Sequence, residues 1–173
     1  HLSLRRQRQM CIRDSVNRDV FKQDSPVVYG FEGDFTDKDE RIVKEFVRVI
    51  NEIIGYDFFS YSTNSEAITI PIELRECLSR RPYGDAWGTG SCAGYTGFYN
   101  LIEERIWIDA DLYGLERDHV LIHELGHSLG LHHSSCIKSG LMSTENVTKN
   151  NSVNFTDFEI ALIKFLYTPL ETI

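Results

Sequence analysis

The stretch from His123 to His133 places three histidines and one glutamate at the spacing of a metal site. His123 and His127 are four residues apart, so on a helix they lie on one face and can direct ring nitrogens at the same ion. Gly130 is suited to end that helix, because glycine enters the left-handed conformation at no steric cost and lets the chain turn back. His133 can then supply a third nitrogen. Three protein ligands with an open fourth position are the pattern of catalytic zinc, so the sequence predicts such a site.

Glu124 has a different position on the same predicted helix. It follows His123 directly and therefore lies roughly 100° further around the helix axis. That position suits a side chain that contacts a water molecule beside the metal rather than the metal, so Glu124 is the candidate general base. The alternative is an amphipathic helix with ordinary surface or core histidines. It leaves unexplained why five of the six histidines fall within residues 119–133.

The order of these residues resembles a known family. The string His-Glu-x-x-His-x-x-Gly-x-x-His, followed by Met142 within residues 139–143, is similar to the metzincin zinc endopeptidases. Ser134 after the third histidine, and the early methionine turn, are closest in pattern to the matrixin branch. Astacins and serralysins have a tyrosine two residues after that methionine, where this sequence has Thr144.

The resemblance implies a fold and further site residues. The expected class is α+β and metzincin-like, with a twisted mixed β-sheet, a long N-terminal helix, a zinc-binding helix, a methionine turn (the Met-turn) and a C-terminal helix. In that family the methionine, here Met142, lies beneath the three histidines, and an acid at the position of Glu159 holds the Met-turn backbone. An edge strand, here residues 94–99, pairs with an extended substrate; a plain interior strand is the alternative. The candidate substrate-contacting residues are Tyr95, Thr96, Gly97 and Phe98.

Hydrophobic periodicity predicts the elements of such a fold. The predicted strands are residues 26–31, 57–61, 67–74, 94–99 and 105–111. A long helix is predicted over residues 36–54, because apolar residues recur at three- and four-residue steps between a capping pair and Gly55. The closing helix begins near Thr156 and runs to Pro169. Pro71 has no N–H for a strand ladder, which predicts a bulge or a sheet edge there.

Residues 1–15 are interpreted as foreign to the protein. Residues 5–15 resemble one reading frame of a transposase adapter used in sequencing libraries. The native N-terminus, with any signal peptide and pro-segment, is then expected upstream of this sequence. The remaining residues, 16–173, have the size of one catalytic domain.

The charge and hydropathy of residues 16–173 bear on the partners. Without residues 1–15, the 18 basic and 26 acidic residues lose four arginines and one aspartate, which leaves 14 against 25 and a net charge of −11. Nucleic acid is therefore not an expected partner. No apolar run reaches the roughly eighteen residues of a membrane span. The expected oligomeric state is a monomer.

Two further features concern cysteines and acids. Of the three cysteines that remain, Cys77 and Cys92 form the predicted disulfide, as suits a secreted or periplasmic enzyme, and Cys92 with Cys136 is the alternative. Asp109 and Asp111 alternate along a predicted strand. They leave Ca²⁺ possible but unsupported, because such acids more often form a solvated face.

These features predict a zinc-dependent endopeptidase with one catalytic Zn²⁺ and an extended peptide or protein substrate. Zinc would polarise the scissile carbonyl and lower the pKa of a water molecule to roughly 7, while Glu124 takes the proton of that water. One alternative is a zinc-containing module that binds peptides without cleaving them, and another is a zinc hydrolase of small amides or cell-wall peptides. The intact glutamate argues against the first alternative, because binding alone does not need it.

Overall fold

The computed structural model describes residues 25–75, 96–133, 140–142 and 155–167. Its strands are β1 (Val27–Glu32), β2 (Phe59–Tyr61), β3 (Ile70–Arg75), β4 (Gly97–Asn100) and β5 (Arg105–Asp109). Its helices are α1 (Asp37–Ile54), α2 (Gly114–Ser128) and α3 (Asp157–Tyr167), with a short 3-10 helix over Ser65–Ala67. Each strand and helix predicted from the sequence therefore has a counterpart.

The five strands form one mixed sheet in the order β2-β1-β3-β5-β4. β1 pairs in parallel with β2 and β3, and β3 pairs in parallel with β5, whereas β4 runs antiparallel to β5. Parallel neighbours need a crossover connection, and α1 supplies the one between β1 and β2. Among the described strands, β4 forms one edge of the sheet. The mixed sheet and its helices confirm the predicted α+β fold class.

α1 forms because its ends are capped and one of its faces is apolar. Thr36 and Asp39 form a reciprocal capping box, and Gly55 ends the helix in the left-handed conformation with φ 86°. The buried apolar face consists of Val43, Phe46, Val47, Ile50 and Ile54. Burial of each such side chain contributes roughly 1.5–3 kcal/mol, so this face anchors α1 in the core.

The core lies between the sheet and the helices. α1 contacts β2 as well as α2 and α3. Alternate strand residues face the core, including Ile70 and Ile72 on β3 and Ile106 and Ile108 on β5, each at most 1% exposed. α2 also contacts β4 and β5. This packing holds α2 beside the edge strand, which is the arrangement that matters for the candidate site.

The expectation of a bulge or an edge at Pro71 is wrong. β3 lies between β1 and β5, and Pro71 is aligned with Gly30 of β1 in an unbroken register. Pairing with β5 begins one residue later, at Ile72. The missing N–H therefore falls at the start of the strand, where it interrupts little of the ladder.

Several predictions concern residues outside the described ranges. These are the foreign segment 1–15, the alternative disulfides among Cys77, Cys92 and Cys136, and Tyr95. None of the helices in the described ranges is long and apolar enough to cross a membrane.

Candidate metal centre

The turn after α2 brings His133 back beside the helix. α2 ends at Ser128, and Gly130 adopts the left-handed conformation with φ 87°. The N–H of Gly130 donates to the carbonyl of His127 at 2.9 Å. A glycine therefore ends the helix at the position expected from the sequence, and the chain runs back toward the other histidines.

The three predicted histidines meet in the structure. Nε2 of His133 lies 2.8 Å from Nε2 of His123 and 3.1 Å from Nε2 of His127. Their ligand atoms all lie within 4.8 Å of one another. Tetrahedral zinc with Zn–N bonds of about 2.0–2.1 Å separates its nitrogens by about 3.3 Å, so the spacing of the triad is close to that of a zinc site.

Backbone carbonyls determine the tautomer of two of these histidines. Nδ1 of His123 lies 2.7 Å from the carbonyl oxygen of Leu141, and Nδ1 of His127 lies 2.8 Å from that of Leu131. A carbonyl oxygen only accepts, so each Nδ1 carries the proton and each Nε2 presents a lone pair to the shared centre. Lone pairs that face one another repel unless a cation lies between them. This donor set therefore fits zinc.

Burial keeps these imidazoles neutral. Desolvation lowers the pKa of His123 to about 4 and the pKa of His127 to about 3. Desolvation also lowers the pKa of His133. Because the neutral imidazole is the form that ligates a metal, all three rings are ready to bind at neutral pH.

Glu124 points toward β4 rather than toward solvent. It is 6% exposed, and the backbone of Tyr99 hydrogen-bonds its carboxyl group. Desolvation raises the pKa of Glu124 to about 8, and the hydrogen bond from Tyr99 opposes this shift. A divalent cation on the neighbouring His123 would favour the carboxylate and lower this pKa, which would return Glu124 to the base form.

Residues 140–142 of the predicted Met-turn pack against α2. Met142 is 1% exposed. A Cβ added at Gly126 would lie 2.6 Å from the sulfur of Met142, so the sulfur touches the helix backbone one residue before His127. The structure places Met142 in the core close to the triad. Its role as the floor of a zinc site stays a prediction.

One peptide group links Glu159 to the triad. Glu159 is fully buried on α3, and its Oε1 accepts from the N–H of Met142 at 2.8 Å. The carbonyl of that same peptide group belongs to Leu141 and accepts from Nδ1 of His123. The second carboxylate oxygen accepts from the N–H and the hydroxyl of Thr156 at 2.8 and 2.9 Å, where it caps α3. Glu159 thus connects α3 to the backbone of Met142 and, through the Leu141 carbonyl, to His123. Its supporting role in a metal site stays a prediction.

β4 presents two of its residues to the open edge of the described sheet. The N–H of Asp109, the last residue of β5, donates to the carbonyl of Thr96 at 3.0 Å. Thr96 and Asp109 therefore form a hydrogen-bonded pair. Backbone groups alternate along an antiparallel strand. The backbone N–H and C=O groups of Phe98 therefore also face β5, whereas those of Gly97 and Tyr99 face the open edge of the described sheet. Within the described sheet, β4 is thus an edge strand. Pairing of this edge with a substrate stays a prediction.

Asp109 and Asp111 form a turn after β5. The Oδ1 atom of Asp109 accepts from the N–H of Asp111 at 2.9 Å. In the part of the chain that the structure describes, neither aspartate belongs to a group of side chains placed to hold a metal. Calcium therefore remains unsupported.

Sequence reasoning missed the hydroxyl groups that bind the end of α2. Tyr29 on β1 donates to Oγ of Ser128 at 2.8 Å, and Ser128 donates to the carbonyl of Leu125 at 2.7 Å. Tyr167 on α3 donates to the carbonyl of Leu129 at 3.0 Å. These bonds satisfy carbonyls at the end of the helix that carries the histidines. Both tyrosines have the sequence signature of ordinary core aromatics, and no spacing rule relates residues so far apart in the chain.

Known proteins with similar sequences point to one family. A family model described as Matrixin matches residues 31–168. Matrilysin of Mus musculus is 27% identical over 145 residues, and matrilysin of Rattus norvegicus is 29% identical over 139 residues. These alignments cover 78% and 74% of this chain but 53% and 50% of the relatives, so the chain spans about half the length of the curated relatives it matches.

The fold is also similar to a solved structure, that of myroilysin. The TM-score is 0.56 at 13% identity, over 88% of this chain and 98% of the myroilysin chain. At that identity the likeness concerns the fold alone. The family match is the stronger finding, because residues 31–168 make up most of the chain. The chain belongs to the matrixin family.

Proposed function

We propose that residues 16–173 form a single catalytic domain of a zinc-dependent endopeptidase. The observation that carries this proposal is the convergence of three Nε2 atoms next to Glu124, a buried carboxyl group held by an edge strand. A metal site, a base and a strand-pairing surface are the parts that metal-assisted hydrolysis of a peptide bond requires. Membership of the matrixin family supports the same activity.

The metal is held by the histidine triad. His123, His127 and His133 would bind one Zn²⁺ through Nε2. Bound zinc supplies Lewis acidity, which polarises a carbonyl and lowers the pKa of water to about 7. The carbonyls of Leu141 and Leu131 accept from Nδ1 of two of these rings, so the Nε2 lone pairs stay directed at the ion.

Glu124 moves the proton. As a carboxylate it accepts a proton from the water that attacks the scissile carbonyl, and the resulting carboxyl group then donates that proton to the leaving amine. The hydrogen bond from Tyr99 holds this carboxyl group close to β4, along which the substrate would lie. General-base help of this kind contributes about 10² to 10⁴ in rate.

The substrate would lie extended along β4. The backbone groups of Gly97 and Tyr99 face the open edge, and the Tyr99 N–H is taken up by Glu124. An extended peptide can pair with the remaining groups in the manner of an added strand. The proposed partner is therefore a peptide, or an unfolded segment of a protein, whose scissile bond passes between β4 and the triad.

The site does not favour the other two functions. A module that binds peptides without cleaving them needs no buried carboxyl group beside its metal. A hydrolase of small amides or cell-wall peptides needs no open strand edge, because its substrate is too short to pair along one. In this chain the buried carboxyl group of Glu124 and the open edge of β4 in the described sheet are both present.

Glu124→Gln separates metal binding from catalysis, because glutamine keeps the size of glutamate but cannot accept the proton. Protein that lacks residues 1–15 should hold about one zinc per chain in both forms. Cleavage of casein should fall by about 10² to 10⁴ in the variant. Glu116→Gln is the matched control, since Glu116 is exposed on the same helix, and it should cleave at the wild-type rate.

Three further results test the assignment. A chelator should abolish wild-type cleavage, and added zinc should restore it. His133→Ala should lose most of its zinc, and full zinc retention would contradict the ligand assignment. Cleavage by Glu124→Gln within about threefold of wild type would show that another group is the base. Peptide binding by a wild-type protein that cleaves nothing would favour the non-cleaving module.

A secreted or periplasmic location and a monomeric state are part of the proposal. A disulfide between Cys77 and Cys92 would suit that location, because such bonds persist in oxidising compartments. Mass spectrometry of unreduced peptides should detect this link, and sedimentation should give the mass of one chain. Detection of a link between Cys92 and Cys136 instead would support the alternative pairing.

A further inference from the structure

Gly97, the first residue of β4, has no room for a side chain. A Cβ added there would lie 2.5 Å from Cγ1 of Val120, 2.7 Å from Cγ of Glu124 and 2.9 Å from Oε1 of Glu124. Ordinary van der Waals contacts of a Cβ begin near 3.4 Å, so any larger residue would displace these atoms by several tenths of an ångström.

The need for glycine at this position concerns space and not backbone conformation. Glycines such as Gly55 and Gly130 have a positive φ, which other residues adopt only with strain. Gly97 does not have a φ in the left-handed range. An alanine could therefore adopt the backbone of β4, and the atoms of α2 are what exclude it.

β4 contacts Glu124 at two points. The stem of the side chain lies against the Cα of Gly97, and the backbone of Tyr99 hydrogen-bonds the carboxyl group. Val120 and Glu124 are one helical turn apart, so together they form the face of α2 that packs on β4. The same strand that would pair with substrate thus also defines where the base lies.

We propose that Gly97 is a positioning residue for Glu124, because the stem of the glutamate lies in the space that a side chain at position 97 would fill. This inference rests on the proposed function and adds a requirement to it. Because substrate and base are both placed by β4, their separation depends on the closeness of α2 to this strand. A misplacement of a catalytic group by about 1 Å can cost about 100-fold in rate.

Gly97→Ala tests the proposal, with kcat, KM and zinc content measured on the protein without residues 1–15. We expect kcat to fall by about 10- to 100-fold. We expect KM to stay within about threefold, because the added methyl group points at α2 and not at the open edge. Zinc content should remain near one per chain, because the clash involves Glu124 and Val120 and none of the ligand histidines.

Two second-site variants separate positioning of the base from helix packing. In a Glu124→Asp background the stem is one methylene shorter, so the kcat penalty of Gly97→Ala should shrink to less than about threefold. In a Val120→Ala background the penalty should persist at about tenfold or more, since the contact with Glu124 remains.

Several outcomes would overturn the proposal. One is a Gly97→Ala enzyme whose kcat stays within about threefold of wild type. Others are full recovery of kcat by Val120→Ala, or an undiminished loss of kcat in the Glu124→Asp background. The last is loss of zinc or of the fold in Gly97→Ala. The last result would assign Gly97 to helix packing. A wild-type protein without chelator-sensitive cleavage would instead contradict the endopeptidase function itself, so the two failures are distinguishable.

Discussion

Replacing Glu159 with glutamine should weaken the fold and the metal site together. In the wild-type protein the carboxylate accepts from the N–H of Met142 and from the N–H and hydroxyl of Thr156. Glutamine has one acceptor oxygen and one NH₂ group. If the oxygen stays with Met142, the NH₂ group faces the N–H of Thr156, and two donors meet without an acceptor in a partly buried position.

The size of the effect follows from these bonds. Loss of a hydrogen bond to a charged group costs about 1.5–3 kcal/mol, and a buried donor left without an acceptor costs about 1–3 kcal/mol. These costs overlap, so the free energy of unfolding should fall by about 2–4 kcal/mol. A domain of this size would lose roughly 5–15 °C in Tm. The peptide group between Leu141 and Met142 also carries the carbonyl oxygen that accepts from Nδ1 of His123. Zinc affinity should therefore fall by about 10- to 100-fold.

Two assays separate the effects of Glu159→Gln. Denaturant unfolding of the zinc-free protein measures stability, and competition with a chromogenic chelator measures zinc affinity. Glu66→Gln is the matched control, because Glu66 is exposed, and it should change neither quantity. An unfolding free energy within about 0.5 kcal/mol of wild type would refute the stability argument. Unchanged zinc affinity in a destabilised variant would show that the Met-turn peptide does not transmit the change to His123.

Two further predictions concern buried partners outside the metal centre. Lys38→Met should lower the unfolding free energy by about 1–2 kcal/mol, because it leaves the nearly buried carboxylate of Asp118 without its cation. Lys44→Met should change it little, since Lys44 pairs with a more exposed acid on the same helix; equal losses in the two variants would contradict this. Tyr167→Phe should cost about 1 kcal/mol, because the carbonyl of Leu129 loses a buried donor; an unchanged unfolding free energy would show that water replaces the hydroxyl.

The ends of α1 and the turn after α2 could be predicted because short-range interactions set them. Thr36 and Asp39 cap α1 across three residues, and the predicted span of residues 36–54 differs from the observed helix by its cap alone. Gly130 adopts the left-handed conformation that its residue type favours. Each of these features depends on neighbours within one or two turns of the chain.

The strand order could not be predicted in the same way. Periodicity indicates which face of a strand is buried, and it does so correctly for Ile70 and Ile72. Periodicity does not indicate which strand lies alongside, so the sequence around Pro71 does not reveal that β3 lies between β1 and β5. Pairing partners are selected by long-range packing of the sheet against the helices.

The sequence by itself determined the chemical groups of the site, because a helix places His123 and His127 on one face and Glu124 beside them. Only the tertiary structure decided how these groups are held. The carbonyl of Leu141 sets the tautomer of His123, and the backbone of Tyr99 and the bare Cα of Gly97 set the position of Glu124. Backbone groups have no sequence signature, because almost every residue carries the same ones. Which of them meets a given side chain depends on contacts between segments far apart in the chain, and these form only when the sheet and the helices pack together.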